Sequence, residues 1–384
     1  GWLFYSRALD DFLGTSVADE TEVERMGAVV LMMQNYVESR GGEFIFFSAP
    51  NKMSVYGEYM PYYYIEDGGH GNYERLYSEL VNAGVNTVQL KNTLSLKKAD
   101  GVQLYHKLDS HWNNYGAAVA YEAVADKLSE VYGDEFKGYT RYSTMPYSVK
   151  NNFSGDLQSM LLPGSDRKDE QLEFDVSENF EYTNRFRGVD DLVITTSNES
   201  KAVDKSVTFF RDSFGNALYW FFANDYTSLT AKREIPYNIY QAAEESELVA
   251  VELVERNLRN LLVYTPIVPS LNLGDGYFSG AVGGTADSDC TAEASVSVMT
   301  TTDGLLQVDG SCDVLSDYAY IYLVVEGGGT FQVLPSEEGA DFTLYLESDD
   351  ADIFNADFAG KVCSFVVKDE TGYVRIPVNV TLQD

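Results

Sequence analysis

Residues 1–265 switch repeatedly between helical hydrophobic spacing and short runs that are mostly apolar. The runs 43–49 and 205–210 are typical of strands buried on both faces of a sheet. Apolar residues at helical spacing predict helices at 21–40 and 114–132. Further predicted elements are strands at 86–90, 228–232 and 248–253, and helices at 73–84, 214–223 and 239–246. Strands that alternate with helices predict an α/β domain built on a doubly wound parallel sheet.

Two stretches depart from this alternation. Residues 134–200 are irregular and carry a charged run at 166–170, so we expect an insertion with long loops that forms a lid or a groove wall. Residues 271–288 are rich in Gly, Ser and Asp, which is typical of a linker. Short β-patterned runs follow, and they predict an all-β sandwich over 289–384, immunoglobulin-like or carbohydrate-binding-like. The first domain is therefore expected to cover 1–270.

The chain is strongly acidic, with 27 Lys and Arg against 60 Asp and Glu and a formal net charge of −33. Such a surface repels phosphate backbones, so we expect no nucleic acid partner. The acidic excess serves solubility, or it excludes acidic polymers and favours a neutral or cationic substrate. The 28 Tyr and 21 Phe fit carbohydrate binding, because an aromatic ring packs on the apolar face of a sugar.

The cysteines Cys290, Cys312 and Cys363 all lie in the last quarter of the chain. An odd count allows at most one internal disulfide, so Cys312 and Cys363 form a bond or remain two buried thiols. No apolar run reaches the length of about 18 residues that spans a bilayer. The chain opens on Gly1 and enters a patterned segment at once, so we expect a signal peptide or membrane anchor upstream of it.

Ser213 lies in the segment Arg-Asp-Ser-Phe-Gly at 211–215, between a predicted strand and a predicted helix. A serine at such a turn exposes its hydroxyl at the carboxyl end of the strand. The backbone N–H groups that open the helix can stabilise an oxyanion there. The alternative is a serine that only caps the helix.

A serine nucleophile needs a base, and the base needs a carboxylate that orients it. Asp109 and His111 precede the helix predicted at 114–132. They are two residues apart, so in an extended segment they lie on the same side and can touch. The alternative is a surface acid beside a capping histidine.

The other two histidines, His70 and His106, have no carboxylate two residues away. We therefore predict a triad of Ser213, His111 and Asp109. No zinc-binding or nucleotide-binding motif occurs, and the Gly-rich run at 326–329 fits a hairpin turn. Neither a metal nor a cofactor is predicted.

Four segments carry a family resemblance when they are taken together and in order. They are Gly-Trp-Leu-Phe at 1–4, Pro-Asn-Lys at 50–52, Asp-Ser-His-Trp at 109–112 and Asp-Ser-Phe at 212–214. Gly-Asp-Leu at 155–157 and Glu-Arg-Asn at 255–257 are lesser matches. The chain up to about residue 260 thus resembles the SGNH-hydrolase-like family of alginate O-acetyltransferases. It also resembles the related extracytoplasmic proteins with an Asp-His-His-Trp motif.

The resemblance implies acetylation or deacetylation of hydroxyls on a secreted or cell-surface polysaccharide, and of the two we expect an O-acetyltransferase that works through an acetyl-serine intermediate on Ser213. It implies an extracytoplasmic location and an acetyl donor supplied by a membrane-bound O-acyltransferase partner. Two positions depart from the family pattern: Arg211 stands in place of Gly, and Ser110 in place of Thr or His.

Other functions and roles stay open. A carbohydrate acetyl esterase of the same fold would use water as the acceptor, and a polysaccharide-binding or assembly protein would perform no chemistry. Candidates for oxyanion or substrate contacts are Asn51, Arg211, Trp112 and Lys52. Each of three candidates also has an alternative structural role. Asn51 would be a turn residue, Trp112 would pack under the histidine, and Arg211 would pair with a carboxylate. Glu255 and Arg256 are expected to form a structural ion pair.

Overall fold

The chain is described from a computed structural model. The described residues are 1–66, 68, 71–279, 282–285, 291–337, 339–351, 353, 361–370 and 372–382. His70, Cys290 and part of the predicted linker 271–288 lie outside them. Two compact units are present. One contains Gly1–Val17, Arg40–Glu234 and Gln241–Leu258, and the other contains Ala18–Ser39, Ile235–Tyr240 and Arg259–Asp384. The predicted boundary at 270 falls within the second unit, to which the early segment Ala18–Ser39 also belongs.

The five helices predicted from the hydrophobic spacing agree with the structure to within two residues at each end. The strand predicted at 86–90 is shorter, and an unpredicted helix begins at its last residue. In chain order the helices are α1 (Leu9–Leu13), α2 (Glu20–Ser39), α3 (Lys52–Tyr56), α4 (Asn72–Asn82), α5 (Leu90–Lys98), α6 (Asn114–Tyr132), α7 (Asp156–Leu161), α8 (Gly215–Asp225), α9 (Ile239–Glu245), α10 (Asn260–Val263) and α11 (Ser348–Ala351). Within the described residues, none of them combines the length and apolar character needed to cross a membrane.

The strands of the first unit are β1 (Glu43–Ala49), β2 (Thr87–Val88), β3 (Tyr147–Phe153), β4 (Asp169–Phe174), β5 (Glu181–Tyr182), β6 (Val193–Ser197), β7 (Val203–Phe210), β8 (Tyr226–Lys232) and β9 (Leu248–Val254). Those of the second unit are β10 (Val282–Thr285), β11 (Ala292–Thr300), β12 (Leu306–Ser311), β13 (Ile321–Val325), β14 (Gly329–Gln332), β15 (Leu334–Pro335), β16 (Asp341–Leu346), β17 (Cys363–Asp369) and β18 (Gly372–Leu382).

The first unit is built on a seven-stranded sheet of order β2-β1-β9-β7-β8-β6-β5. The first five strands are parallel, and β6 and β5 continue the sheet antiparallel. The predicted α/β fold is therefore confirmed. The insertion predicted at 134–200 is not made of long loops alone. It supplies the two antiparallel strands and the separate β3–β4 hairpin.

Helices cover both faces of this sheet, which explains why β1 and β9 are buried along their whole length. Ile45 and Phe47 of β1 belong to one apolar core with residues of α6 and α8. Phe46, which points to the opposite face, lines a small cavity with Leu76 of α4. Since β1, β7 and β9 are parallel, they end at the same edge of the sheet, where open α/β sheets bind their ligands.

The second unit carries a β domain between a sandwich and a nearly closed barrel, and the turn-separated apolar runs predict its all-β character. Its sheet has the order β14-β13-β17-β18-β11-β12-β16-β15, and β10 pairs with β18. Alternate residues such as Val308, Leu344 and Phe365 fill its core. Cys312 and Cys363 are both buried free thiols, so of the two states left open by the sequence, the structure has the one without a disulfide.

Helix α2 belongs to this second unit and begins with a reciprocal cap. The Asp19 carboxylate accepts from the backbone N–H of Glu22, and the Glu22 carboxylate accepts from that of Asp19, both at 2.8 Å. The buried Arg25 guanidinium then donates to the carbonyl oxygens of Ser316 at 2.7 Å and Tyr318 at 2.9 Å. It also reaches the carbonyl oxygens of Leu315, Ser336 and Gly339. Arg25 thereby links α2 to the loops of the sandwich.

We expect Arg25→Met to lower the free energy of unfolding by about 3 kcal/mol, because five carbonyl groups, one buried and four partly buried, lose a charged donor. Urea unfolding followed by circular dichroism measures this loss. Arg7 is exposed, and Arg7→Met is the control, expected to stay within about 0.5 kcal/mol of the unmodified chain. A loss below about 1 kcal/mol for Arg25→Met would contradict the assigned role.

Candidate active site

Ser213 lies in the turn between β7 and α8, at the carboxyl edge of the sheet. The neighbouring Asp212 holds this turn: its Oδ1 accepts from the backbone N–H of Phe214 at 2.8 Å. Its Oδ2 accepts from the backbone N–H of Val254 at 2.9 Å, which ties the turn to the end of β9. The Asp of the Asp-Ser-Phe motif therefore positions Ser213 through the backbone.

His111 is carried by a tight loop before α6. An isolated bridge pairs Tyr105 with Trp112, and the backbone N–H of His106 donates to the carbonyl oxygen of His111 at 3.2 Å. The Asn113 side chain accepts from the backbone N–H of Gly116 at 2.9 Å and starts the helix. The bridge and the cap fix both ends of the loop, so the orientation of His111 is set by backbone contacts.

The three predicted triad residues form one hydrogen-bonded chain. The Ser213 hydroxyl lies 2.8 Å from His111 Nε2, and His111 Nδ1 lies 2.7 Å from Asp109 Oδ1. Asp109 Oδ1 also accepts from the backbone N–H of His111 at 2.9 Å. Burial opposes ionisation of Asp109, but its bonds from His111 and from the Asp156 backbone outweigh this, and its pKa lies well below the ordinary value. An ionised Asp109 keeps the proton on Nδ1 and leaves Nε2 to accept from Ser213.

Asp156 supports this chain from the far side of Asp109. Its backbone N–H donates to Asp109 Oδ2 at 2.7 Å. Its carboxylate accepts from the backbone N–H of Ser110 at 2.8 Å and from the Ser110 hydroxyl at 2.6 Å. Gly155 allows this approach, because a Cβ there would lie 2.2 Å from the carbonyl oxygen of Leu108. In the sequence Gly155 and Asp156 appear only as part of a family signature, and no spacing rule places them beside Asp109.

Lys52 holds the same loop from inside rather than facing a substrate. Its buried ammonium donates to the carbonyl oxygens of His106, Lys107 and Asp109. Burial is the main reason that the pKa of Lys52 is lowered to about 8, and nearby carboxylates including Asp109 act in the opposite direction. The contacts make Lys52 a positioning residue of the loop that carries Asp109.

Arg211 and Asn51 are also engaged by the protein itself. The buried Arg211 guanidinium donates to the carbonyl oxygens of Val189 and Asp191, at 3.1 and 3.0 Å, and to the Asn216 side chain. Burial, followed by repulsion from Arg233, lowers the pKa of Arg211 to about 10. Arg211 therefore fastens the 189–191 segment, rather than pairing with a carboxylate.

The Asn51 amide donates to Asp11 Oδ2 at 3.1 Å and accepts from Arg256 at 3.2 Å. These partners occupy the side chain, so its contacts do not favour a role at the oxyanion.

Trp112 is buried, and its indole N–H donates to the Phe214 carbonyl oxygen at 3.0 Å. Trp112 therefore packs within the fold close to His111, and its fixed indole N–H joins the histidine loop to the serine turn.

A cavity of about 370 Å³ opens in front of the triad. Its walls come from the serine turn, the histidine loop and the 134–200 region, which supports the expectation that this region forms a groove wall. The lining residues are His106, Asp109, His111, Trp112, Asn114, Phe153, Asp156, Gln171, Val189, Asp190, Ser213, Phe214, Asn216 and Ala217. Three of the predicted contact residues do not line this cavity: Asn51, Lys52 and Arg211.

One cluster among the described residues has the composition of a metal site. Candidate ligand atoms of Asp109, His111 and Asp156 lie within 4.8 Å of one another. The same side chains already bond to each other, to Ser110 or to backbone N–H groups, so the triad and its support account for the cluster.

Glu255 is buried where the end of β9 meets the segment after β1. Its Oε2 accepts from the backbone N–H of Asn51 and the hydroxyl of Ser54, both at 2.7 Å. Burial raises the pKa of Glu255 to about 7. Arg256 instead donates to Asn51 and lies over the rings of Tyr5 and Phe214. The Glu255–Arg256 ion pair expected from the sequence is thus wrong for the described residues.

The contact at Gly155 gives a test of the support for Asp109. We expect Gly155→Ala to cost about 1–3 kcal/mol of stability and to reduce any Ser213-dependent reaction, because the 108–109 backbone must move. Thermal unfolding and turnover of an activated ester measure the two effects. A Cβ added at Gly188 would meet no described atom within 4 Å, so Gly188→Ala is the matched control. Equal behaviour of the two variants would refute the assigned close approach.

The raised pKa of Glu255 predicts a pH dependence of stability. Between about 4.5 and 7 the folded state keeps a proton that the unfolded state releases, so the free energy of unfolding falls as pH rises through this window. Glu255→Gln is expected to remove up to about 3 kcal/mol of this fall. Urea unfolding at several pH values measures it, with the exposed Glu199→Gln as control. An unchanged slope in Glu255→Gln would contradict the assignment.

The chain has recognisable relatives by sequence family and by fold. The family model for the SGNH hydrolase-like domain of the acetyltransferase AlgX matches residues 1–202. No curated protein sequence matches the chain. Bacillus cereus PatB1 with a sulfonyl adduct is similar in fold, with 15% identity and a TM-score of 0.50 over 63% of this chain and 90% of PatB1.

Two further solved structures are similar. The O-acetyltransferase domain of Pseudomonas putida AlgJ is 19% identical, with a TM-score of 0.45 over 67% of this chain and 89% of its own. A DHHW family protein from Eubacterium siraeum is 14% identical, with a TM-score of 0.48 over 63% of this chain and 87% of its own. Because the family model covers more than half of the 384 residues, the chain belongs to the SGNH hydrolase-like acetyltransferase family of AlgX.

Proposed function

We propose that the chain is an O-acetyltransferase that transfers acetyl groups to hydroxyls of a secreted or cell-surface polysaccharide. The observation that carries this proposal is the continuous hydrogen-bonded chain from Ser213 through His111 to Asp109, which opens into a cavity. Membership of the acetyltransferase family agrees with it, and the reaction of this chain is proposed in the same class.

In the first half-reaction the Ser213 hydroxyl oxygen attacks the carbonyl carbon of an acetyl donor, and His111 Nε2 takes the hydroxyl proton. Asp109 stabilises the imidazolium that forms. When the tetrahedral intermediate collapses, the bond to the donor's leaving group breaks, and that group takes the proton from His111. The product is acetyl-Ser213, and the balance of atoms needs no metal or redox partner.

In the second half-reaction a sugar hydroxyl oxygen attacks the carbonyl carbon of acetyl-Ser213, and its proton passes to His111 Nε2. The bond between that carbon and Ser213 Oγ then breaks, and Oγ takes the proton from His111. The backbone N–H of Ser213 makes no hydrogen bond within the described part of the chain, and we propose it as an oxyanion donor. The N–H of Phe214 is already held by Asp212, so it is not assigned this role. Asn51 is left out for the same reason.

The donor and the location follow from the family resemblance. We propose that the chain works outside the cytoplasm and that a membrane-bound O-acyltransferase partner supplies the acetyl group. The esterase alternative uses the same triad with water as the acceptor. The alternative of a binding or assembly protein would leave the bonded triad without a reaction.

We expect Ser213→Ala to reduce cleavage of an activated acetyl ester by about 10⁴-fold, because the nucleophile is lost. The exposed Ser78→Ala is the control and should keep full activity. Since PatB1 carries a sulfonyl adduct, a sulfonyl fluoride should label this chain at Ser213, and peptide mass spectrometry identifies the site. Unchanged cleavage in Ser213→Ala, or labelling elsewhere, would falsify the catalytic assignment.

The same assay separates the transferase from its alternatives. Addition of an acceptor oligosaccharide should divert acetyl from water to the sugar, which mass spectrometry of the oligosaccharide detects. Hydrolysis that no acceptor alters would identify an esterase. Absence of both cleavage and labelling in the unmodified chain would identify a non-catalytic protein.

A further inference from the structure

A second cavity of about 270 Å³ adjoins the one in front of the triad. The two share the lining residues Asn114, Val189, Asn216 and Ala217, so they lie side by side, and Ser213 lines only the first of them. We call the two cavities together the acceptor groove. The lining residues that only the second cavity contributes are Glu173, Phe174, Tyr219, Trp220 and Phe221.

The outer part of the acceptor groove is aromatic, and its rings are held in place. The half-buried Trp220 packs edge-on against Phe221, with ring centroids 5.3 Å apart. Its indole N–H donates to Glu178 at 3.1 Å. Phe174 also packs edge-on against Phe221 at 6.1 Å. Fixed rings beside a groove suit the apolar faces of sugar rings, because little side-chain entropy is lost on binding.

Amide side chains line the groove where the two cavities meet. Asn114 and Asn216 contribute to both cavities, and Gln171 lines the inner one. The Asn216 amide is already bonded to Arg211 and Asp190. Asn114 Oδ1 and Gln171 Nε2 have no hydrogen-bond partner among the described residues, so they offer an acceptor and a donor to sugar hydroxyls without bringing charge into the groove. The polar surface of the groove therefore fits an uncharged polyol.

No Lys or Arg lines either cavity among the described residues. Four carboxylates do, and Asp109 and Asp156 are committed to the triad loop. The other two are paired: Asp190 with Arg233 at 2.9 Å, and Glu173 with Lys150. A polyanion would meet these carboxylates, and the cations beside them, Arg233 and Lys150, are already engaged in the ion pairs. An amino sugar would have to compete with these existing ion pairs.

From these contacts we infer that the acetyl acceptor is a neutral polysaccharide, with uncharged hexose units lying along Trp220 and Phe174. The inference rests on the proposed function, because it names the acceptor for that site. It assigns Trp220 as a binding residue for the acceptor. It also explains why the wall is built from amides and paired carboxylates rather than from the basic residues that a uronate polymer would require.

Binding to the Ser213→Ala variant tests the acceptor class without requiring any chemistry. The probes are a β-linked mannan pentasaccharide and a mannuronate pentasaccharide of the same linkage, which differ only in the carboxylate at each sugar. A glucan, a galactan and a glucosamine pentasaccharide complete the set. We expect at least one neutral probe to bind about tenfold or more tightly than both charged probes in calorimetric titration.

Equal or tighter binding of the mannuronate would overturn the inference, as would tighter binding of the glucosamine probe. Failure of all three neutral probes to bind at millimolar concentration would also overturn it. High salt separates the groove from the overall charge of −33: the preference should persist there, because the long-range repulsion is screened. If the preference disappears in high salt, it comes from the acidic surface, and the groove does not select the acceptor.

Two variants locate the effect in the groove. Val189 is exposed and lines both cavities, so Val189→Lys should strengthen mannuronate binding about twofold to fivefold, while the uncharged Val189→Met should not. Trp220→Ala should weaken binding of the best neutral probe about tenfold, and the exposed Tyr62→Ala is its control. No change in either groove variant would place binding elsewhere.

The outcomes distinguish this inference from the proposed function. Loss of ester cleavage and labelling in the unmodified chain would refute the function, while the binding order would still report on the groove. Acetyl transfer to mannuronate in preference to mannan would refute the acceptor class and leave the function intact.

Discussion

The buried carboxylate of Asp109 is the group on which the arrangement of the candidate site depends. It accepts bonds from the His111 ring, the His111 backbone and the Asp156 backbone. These bonds offset the cost of burying a charge and keep Asp109 ionised. They also set the orientation of His111 toward Ser213. The site is thus organised around one anion, and the segments that surround it are shaped to supply its donors.

Buried cations complement this arrangement, and their partners are mainly backbone carbonyl groups. Lys52 binds three carbonyl oxygens of the loop that carries Asp109, and Arg211 binds two from the segment beside the serine turn. Arg25 has the same kind of role in the second unit. Charged donors make stronger bonds than neutral ones and can serve several carbonyl groups at once. Loops without regular hydrogen bonding can therefore be held rigid inside the protein.

The charge of the whole chain and the charge of the groove carry different information. A net charge of −33 describes a surface that repels anions at long range. The groove next to Ser213 has carboxylates too, but the two outside the triad loop, Glu173 and Asp190, form ion pairs with Lys150 and Arg233. On the inference drawn above, recognition there depends on the set of rings and amides in contact with the ligand. The overall composition indicated an acceptor that is not acidic. The ion pairs of the groove carboxylates then narrowed the inferred acceptor to neutral sugars.

The sequence by itself predicted the main helices and strands of the parallel sheet, the change to a β domain and the three residues proposed as the triad. These follow from local periodicity and from motifs whose residues are close together in the chain, such as Asp109 and His111. Only the tertiary structure decided that Asp156 supports Asp109, that Lys52 and Arg211 hold loops, and that Arg25 ties an early helix to the late sandwich. It also separated Glu255 from its expected partner Arg256. Each of these contacts joins residues whose placement depends on how distant elements pack, and a pattern that repeats every two to four residues carries no information about such packing.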